Sequence, residues 1–308
     1  MAATEPRRIL VTGASGFVGG HLLPALKAAF PEAEVYAEHI DVTDRDTISN
    51  AVRDVRPDAC IHLAAITTVA AARQDPDRAW HVNLHGTLNL ARSTLAHARD
   101  CRLLFASTAE VYGRSFADGQ PLKETAVLAP MNSYAATKAA ADLALGAMAN
   151  EGLRVVRLRL FNHTGPGQPD AFVLPAFARQ IALIESGRQA PPLRVGGLDS
   201  MRDFLDVRDV CGAYVACLRR GAELAPATIL NIAAGVPRRI GDMLGELLDL
   251  AGLHTEIATD TARLRGPEIQ SAIGDAGRAR QLLGWTPTIP WQQTLADVLA
   301  DWRARVAG

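Results

Sequence analysis

The stretch Arg8-Ile-Leu-Val-Thr-Gly-Ala-Ser-Gly-Phe-Val-Gly19 sets the architecture of the chain. Arg8 to Thr12 is a short apolar, β-branched run, the pattern of a strand buried on both faces of a parallel sheet. Gly13, Gly16 and Gly19 come next at G-x-x-G-x-x-G spacing, and helical spacing runs from His21 to Phe30. Glycines between strand and helix permit a tight turn, close approach of backbone to a pyrophosphate, and close helix–strand packing. A plain strand–helix turn would account for such a triplet taken alone. Its meaning therefore rests on the elements downstream of Gly19.

Along the rest of the chain, the pattern predicts a strand over Glu34–Val42, a helix over Thr43–Val55 and a strand over Ala59–Ala65. A helix around Asp77–Arg99, a strand over Arg102–Ser107, a helix carrying Tyr134 and a strand over Leu153–Phe161 continue it. Such alternation predicts an α/β fold, a doubly wound parallel Rossmann sheet. Beyond Gly165 the alternation is broken by Pro166, Pro169, Pro175, Pro191 and Pro192. We read residues 1–165 and 205–235 as the dinucleotide-binding unit, and 166–204 and 236–308 as a smaller, partly interleaved C-terminal substrate lobe. A strand at Thr228–Ala233 would return to the sheet.

Tyr134-Ala-Ala-Thr-Lys138 places a phenol and an ammonium at i and i+4, on one helix face. A free phenol has a pKa of about 10, and a neighbouring cation is expected to lower it toward the working range. Upstream, Thr108 ends a strand. Period-two alternation would set Thr108 and Glu110 on one side and Ala109 on the other. A threonine hydroxyl can hold a substrate oxygen while Tyr134 handles its proton. Taken without Tyr134, the pair reads equally as a strand-end cap and a solvated acid.

The 308 residues carry a net charge of −1, which gives no long-range attraction to nucleic acid or an anionic membrane. No apolar run reaches the roughly 18 residues of a membrane span. The polar Met1–Arg8 leads straight into a strand, so no signal peptide is read. Four scattered cysteines without C-x-x-C spacing fit a cytoplasmic protein, and eight histidines without H-E-x-x-H give no metal site.

At this point the chain resembles the extended short-chain dehydrogenases/reductases acting on nucleotide sugars. The glycine loop, Asp41-Val42, His62-Leu-Ala-Ala65, Asn83 with Gly86-Thr87, Thr108 and Tyr134-x-x-x-Lys138 stand in that family's order. The resemblance implies catalysis by Thr108, Tyr134 and Lys138, with Glu110 beside them. It implies a dinucleotide held by Gly13, Ser15, Gly16, Phe17, Val18 and Gly19. Asp41, Val42, Leu63, Ala64, Ala65, Thr67, Asn83, Phe161 and His163 would complete that cofactor set with Tyr134 and Lys138. Either NADP or NAD would serve. Glu38 lies near the position of a ribose-binding acid, and no Arg or Lys stands between Lys27 and Arg45. That leans toward NAD(H), although the short segment leaves the 2′ side open.

Phe161-Asn-His-Thr-Gly-Pro-Gly-Gln168, Phe172-Val173, Arg202-Asp-Phe-Leu-Asp-Val-Arg-Asp209 and Leu264-Arg-Gly-Pro-Glu268 narrow the resemblance to the branch acting on GDP-6-deoxyhexoses. Within it, the Asn162–Gln168 segment most resembles the GDP-6-deoxy-D-mannose reductases, which reduce a 4-keto sugar to GDP-D-rhamnose. By that resemblance Thr108, Glu110, Asn162, Val173, Arg202, Arg265 and Glu268 would meet the nucleotide sugar. Two guanidinium forks suit a diphosphate, while an ion pair between lobes would explain either arginine as well. The family usually has Arg-Pro where this chain has Arg265-Gly266-Pro267.

Three functions stay open on sequence: reductase, dehydratase or epimerase with a retained cofactor, and a non-catalytic dinucleotide sensor. Glu110 would serve a dehydratase, whereas Ala109 lacks the acid some dehydratases carry. The family also pairs subunits through two helices, here around Asp77–Arg99 and Tyr134–Asn150. Ala135, Ala136, Ala139, Ala140 and Ala141 permit such close packing, within the monomer or in a homodimer.

Overall fold

Ile9, Leu10 and Val11 are at most 1% exposed, because their strand lies inside a sheet covered on both faces. The structure, a computed structural model, describes residues 5–261 and 269–308. It opens with β1 (Arg8–Thr12), α1 (Phe17–Ala29), β2 (Glu34–Tyr36), α2 (Arg45–Val55) and β3 (Ala59–His62). Next come α3 (Val69–Gln74), α4 (Pro76–Trp80), a π-helical turn His81–Gly86, α5 (Thr87–His97) and β4 (Arg102–Thr108). A 3-10 segment, Ala109–Asp118, precedes α6 (Ser133–Met148), β5 (Arg154–Leu160) and β6 (Asn162–Thr164). After these lie α7 (Val173–Glu185), β7 (Leu193–Val195), β8 (Met201–Asp206), α8 (Val207–Arg219) and β9 (Thr228–Ile232). The chain ends with β10 (Pro237–Arg239), α9 (Ile240–Ala251), β11 (Ile257–Thr259), β12 (Ser271–Ala272), α10 (Gly277–Leu283) and α11 (Trp291–Ala307).

Six parallel strands form the main sheet in the order β2-β1-β3-β4-β5-β9. The chain leaves β1 toward opposite edges, so a crevice opens beyond the carboxyl ends of β1 and β3, where such folds bind ligands. Leu22 and Leu26 of α1 and Val210 and Tyr214 of α8 cover one face. Ile48 and Val52 of α2, Leu90 of α5 and Leu145 of α6 cover the other. The expected doubly wound fold is thus present. A second core joins α7, α9 and α11 through Phe177, Leu244, Leu247, Trp291 and Leu295. Ala279, Leu283 and Trp285 pack into the α1/α8 side of the sheet. In the second layer β8 pairs with β6, β10 and β12. Among the described residues no helix is long and apolar enough to cross a membrane.

Several elements differ from the sequence pattern. The second strand stops at Tyr36, well short of Val42. There the Asp41 carboxylate accepts from Thr43 N and Oγ1 at 2.9 and 2.7 Å, and Asp44 caps α2 through Asp46 N and Thr47 N. Short acidic side chains offer the backbone a turn in place of the ladder. The expected helix over 77–99 runs from Pro76 to His97 but widens into a π turn at His81–Gly86, where Gly86 faces Val42 with no room for a Cβ. The first helix begins at Phe17, before the apolar spacing becomes regular.

Candidate active site

The glycine loop is built by close approach. Gly13 adopts φ +73°, and a Cβ there would stand 2.5 Å from the Ala64 nitrogen. At Gly19 a Cβ would meet the Ala14 carbonyl, so these two glycines seat the loop against β3 and α1. Ser15 and Gly16 are exposed, and Phe17 and Val18 are half-buried in the first turn of α1. The N–H groups of a first helical turn lack intrahelical partners and suit an anion. The cradle therefore fits a pyrophosphate.

Leu63, Ala64 and Ala65 run past Gly13 from β3, and Thr67 is exposed. Asn83 is 0% exposed. Its Oδ1 accepts from Ile66 N at 2.8 Å, and its Nδ2 donates to Ile66 O at 3.1 Å and Thr137 Oγ1 at 3.0 Å. Asn83 thus reaches the crevice through the backbone of Ile66, with its own amide fully engaged. Asp41 is exposed, and the Thr43 hydrogen bonds hold its carboxyl below the usual range. Val42 is buried against Gly86.

Tyr134 and Lys138 sit in the first turns of α6. Asn132 caps that helix, its Oδ1 accepting from Ala135 N at 2.8 Å, while its Nδ2 donates to Glu110 Oε2 at 3.4 Å. The strand ends at Thr108, whose Oγ1 accepts from Glu110 N at 3.2 Å. Glu110 therefore lies on a 3-10 segment, and period-two alternation with Thr108 does not apply to it. Thr108 nevertheless hydrogen-bonds Tyr134, and Glu110 acts on the same phenol through its charge.

The electrostatics reverse one expectation. Burial pushes the Tyr134 phenol up to about 12, against the opposing hydrogen bond from Thr108. Burial also brings the Lys138 ammonium down to about 7, with Asp142 opposing. In the chain itself desolvation, joined by the charge of Glu110, outweighs the Thr108 hydrogen bond. At neutral pH Tyr134 is a protonated acid.

A buried polar chain anchors this centre, joining His62, Asn83 and Thr87 of the sequence motifs to Thr12 by connections the sequence did not show. Thr87 Oγ1 donates to Asn83 O at 2.7 Å, so it accepts from His62 Nε2 at 2.9 Å, and His62 Nδ1 accepts from Thr12 Oγ1 at 2.6 Å. This imidazole is neutral, with burial and the charge of Lys138 holding its pKa down to about 3. Thr137 Oγ1, held by Asn83, donates to Tyr134 O at 2.7 Å. A helix-cap signal in Asn132-Ser-Tyr could have flagged Asn132. The partners of His62 are far apart in sequence and left no local sign.

On the substrate side, Phe161 is buried, Asn162 exposed, and His163 half-buried with its Nδ1 donating to Phe161 O at 2.9 Å. The His163 ring stacks on Phe17 at 6.2 Å and 6°, which ties the glycine loop to the Asn162–Gln168 segment. Val173 begins α7 and is half-buried. Arg202 Nη1 donates to Met201 O at 2.9 Å and Ile269 O at 2.8 Å. Arg265 and Glu268 lie outside the described residues.

This fold and this crevice define an oxidoreductase of the dinucleotide-binding α/β class. The chain belongs to the extended short-chain dehydrogenases/reductases, within the family described as GDP-mannose 4,6 dehydratase, which it matches over residues 26–298. It is 40% identical over 303 residues to a GDP-6-deoxy-D-mannose reductase of Pseudomonas aeruginosa, covering 97% of this chain and 98% of that one. A solved structure described as RMD from Pseudomonas aeruginosa complexed with NADPH has a TM-score of 0.88 at 37% identity, covering 97% and 98% of the two chains. The UDP-glucose 4-epimerase of Thermus thermophilus, in complex with NAD, has a TM-score of 0.83 at 26% identity, covering 96% and 99%.

Proposed function

We propose that the chain reduces the 4-keto group of a GDP-linked 4-keto-6-deoxy sugar, best fitted by GDP-4-keto-6-deoxy-D-mannose going to GDP-D-rhamnose. The observation that carries this reading is the 40% identity to a named reductase along nearly the whole of both chains. NADP or NAD is the cofactor, cradled by the Ser15–Val18 turn. When bound in reduced form it supplies the hydride to the sugar C4.

Thr108 holds the C4 oxygen by a hydrogen bond, and Tyr134 donates its phenolic proton to that oxygen as negative charge develops. A phenol with its pKa pushed up to about 12 is in the donor form that reduction requires. Lys138 stands one turn along the same helix, and its ammonium form would meet the ribose of a bound cofactor and favour negative charge on the reacting oxygen. Asn162, Val173 and Arg202 meet the nucleotide sugar, with Arg265 and Glu268 assigned to the same side. Glu110, tethered by Asn132, contacts the sugar.

The dinucleotide unit is 1–165 with 205–235, and the nucleotide-sugar unit 166–204 with 236–308, of which Ala279, Leu283 and Trp285 pack back onto the dinucleotide sheet. We place the protein in the cytoplasm, with four free, buried cysteines in support. It works as a homodimer through the α4–α5 and α6 surface, where Trp80 is 37% and Leu143 59% exposed.

Incubation with GDP-4-keto-6-deoxy-D-mannose and each reduced nicotinamide, with identification of the sugar, tests the activity. GDP-D-rhamnose is the expected product. Sustained formation of the 4-keto sugar from GDP-mannose would instead support a dehydratase, the reading that the charge of Glu110 beside Tyr134 favours.

A further inference from the structure

We propose that Phe105 is a positioning residue for Lys138, its ring face seating the ammonium at the reaction centre. The inference rests on the proposed role of Lys138 in the reduction. Lys138 is 3% exposed, and its Nζ stands 4.1 Å from the centroid of the Phe105 ring. Among the described residues the ammonium has no hydrogen bond or ion pair of its own. A cation left with so little contact to water is stabilised by the negative face of an aromatic ring.

Asp142, one turn further along α6, is the nearest carboxylate with an effect on Lys138. It is already taken, accepting from Ser107 Oγ at 2.7 Å, Arg157 Nη1 at 3.0 Å and Arg159 Nη2 at 3.0 Å. Its charge favours the ammonium from a distance, moderated by the two guanidiniums of β5. Tyr134 lies one turn back, with Glu110 beyond it on the 3-10 segment. From β3 comes His62, whose ring stacks on Phe105 at 6.0 Å and 27°. Thr12 and Thr87 lock His62 neutral, so it supports the ring without adding a like charge.

Phe105 is 0% exposed, and in a purely packing role leucine would serve this strand as well. The two roles separate in the titration of Lys138. A ring that stabilises the ammonium raises its proton affinity, so weakening the ring lowers the midpoint. A desolvated cation–ring contact corresponds to a shift of about one pH unit.

The chain has three lysines, Lys27, Lys123 and Lys138, so lysine labelled with ¹³C at Cε yields three resonances. The signal lost in Lys138→Met identifies Lys138. The whole chain, without added cofactor, is titrated with 3,4,5-trifluorophenylalanine at position 105, which drains the ring face with little change of shape, and as Phe105→Leu. The expected result is a midpoint near 7 in wild type that falls by about one pH unit in both variants, with Lys27 and Lys123 unmoved. An unchanged midpoint in the trifluoro protein overturns the proposal, even where Phe105→Leu fails to fold. Turnover is measured beside it. Full activity in Lys138→Met would overturn the catalytic reading of Lys138. Lost activity in Lys138→Met together with an unmoved Lys138 midpoint in the trifluoro protein would overturn the role of Phe105 alone.

Discussion

The carboxylate of Asp142 and the guanidinium of Arg159 meet at 3.0 Å inside the protein, at 0% and 3% exposure. Arg157 joins from the same face of β5, its Nη1 donating to both the carbonyl and the carboxylate of Asp142. Arg159 Nη1 extends the network to Tyr112 Oη at 3.1 Å and Glu124 O at 3.0 Å. The helix that carries Tyr134 and Lys138 is thereby bolted to the sheet by charge. Asp142→Asn would strand two buried guanidiniums. Removing one partner of a buried pair costs about 3–5 kcal/mol, so urea unfolding should show that loss with an unchanged m-value. A loss under about 1 kcal/mol would mark the pair as energetically idle.

Tyr134→Phe should lower turnover about 10²–10⁴-fold, the usual range for a lost general acid. Cofactor affinity, followed by fluorescence titration, should stay close to wild type because the ring still packs. Most of the activity surviving would remove the phenol from the mechanism.

Lys138 links function to stability through pH. Its folded pKa is depressed to about 7 from an ordinary value of 10.5. Between those values the unfolded chain binds more protons, so the stability of the cofactor-free protein rises with pH across that window. Below it, burying the charge has its full cost. Lys138→Met should therefore melt above wild type at pH 6, with the gap closing as pH approaches 10. A gap that does not change with pH would contradict the burial of a titrating ammonium.

Glu110→Gln keeps the shape and hydrogen-bonding capacity of the side chain but removes its base. Ketone reduction breaks no C–H bond at C5 and expels no hydroxyl, so kcat/KM should fall less than about tenfold, under 1.4 kcal/mol of barrier. Turnover of GDP-mannose that collapses in this variant while hydride still passes to the bound cofactor would turn the reading toward dehydration.

The glycine loop and the Tyr134/Lys138 spacing could be read from the chain because both depend on neighbours in sequence. Gly13 needs φ +73° wherever its turn is made, and i, i+4 side chains share a face in any helix. Strand and helix alternation was legible for the same reason, and so was the doubly wound sheet. Element ends were less so. Asp41 and Asp44 drew the backbone into a turn and a cap where the apolar pattern suggested more strand.

Glu110 and Asn83 needed the assembled fold. Glu110 left the strand alternation because a 3-10 segment begins after Thr108, and Asn83 turned its amide to Ile66 and Thr137, residues 17 and 54 positions away. The direction of the Tyr134 shift belongs with them. Local spacing gives the phenol a cationic neighbour, which argues for a lower pKa. Burial removes the water that would solvate a phenolate, and that loss exceeds the one opposing effect, the hydrogen bond from Thr108. Which side chains can react was set by their order along the chain. Their protonation at neutral pH was set by how much solvent the packed protein takes from each, since desolvation depends on every surrounding element.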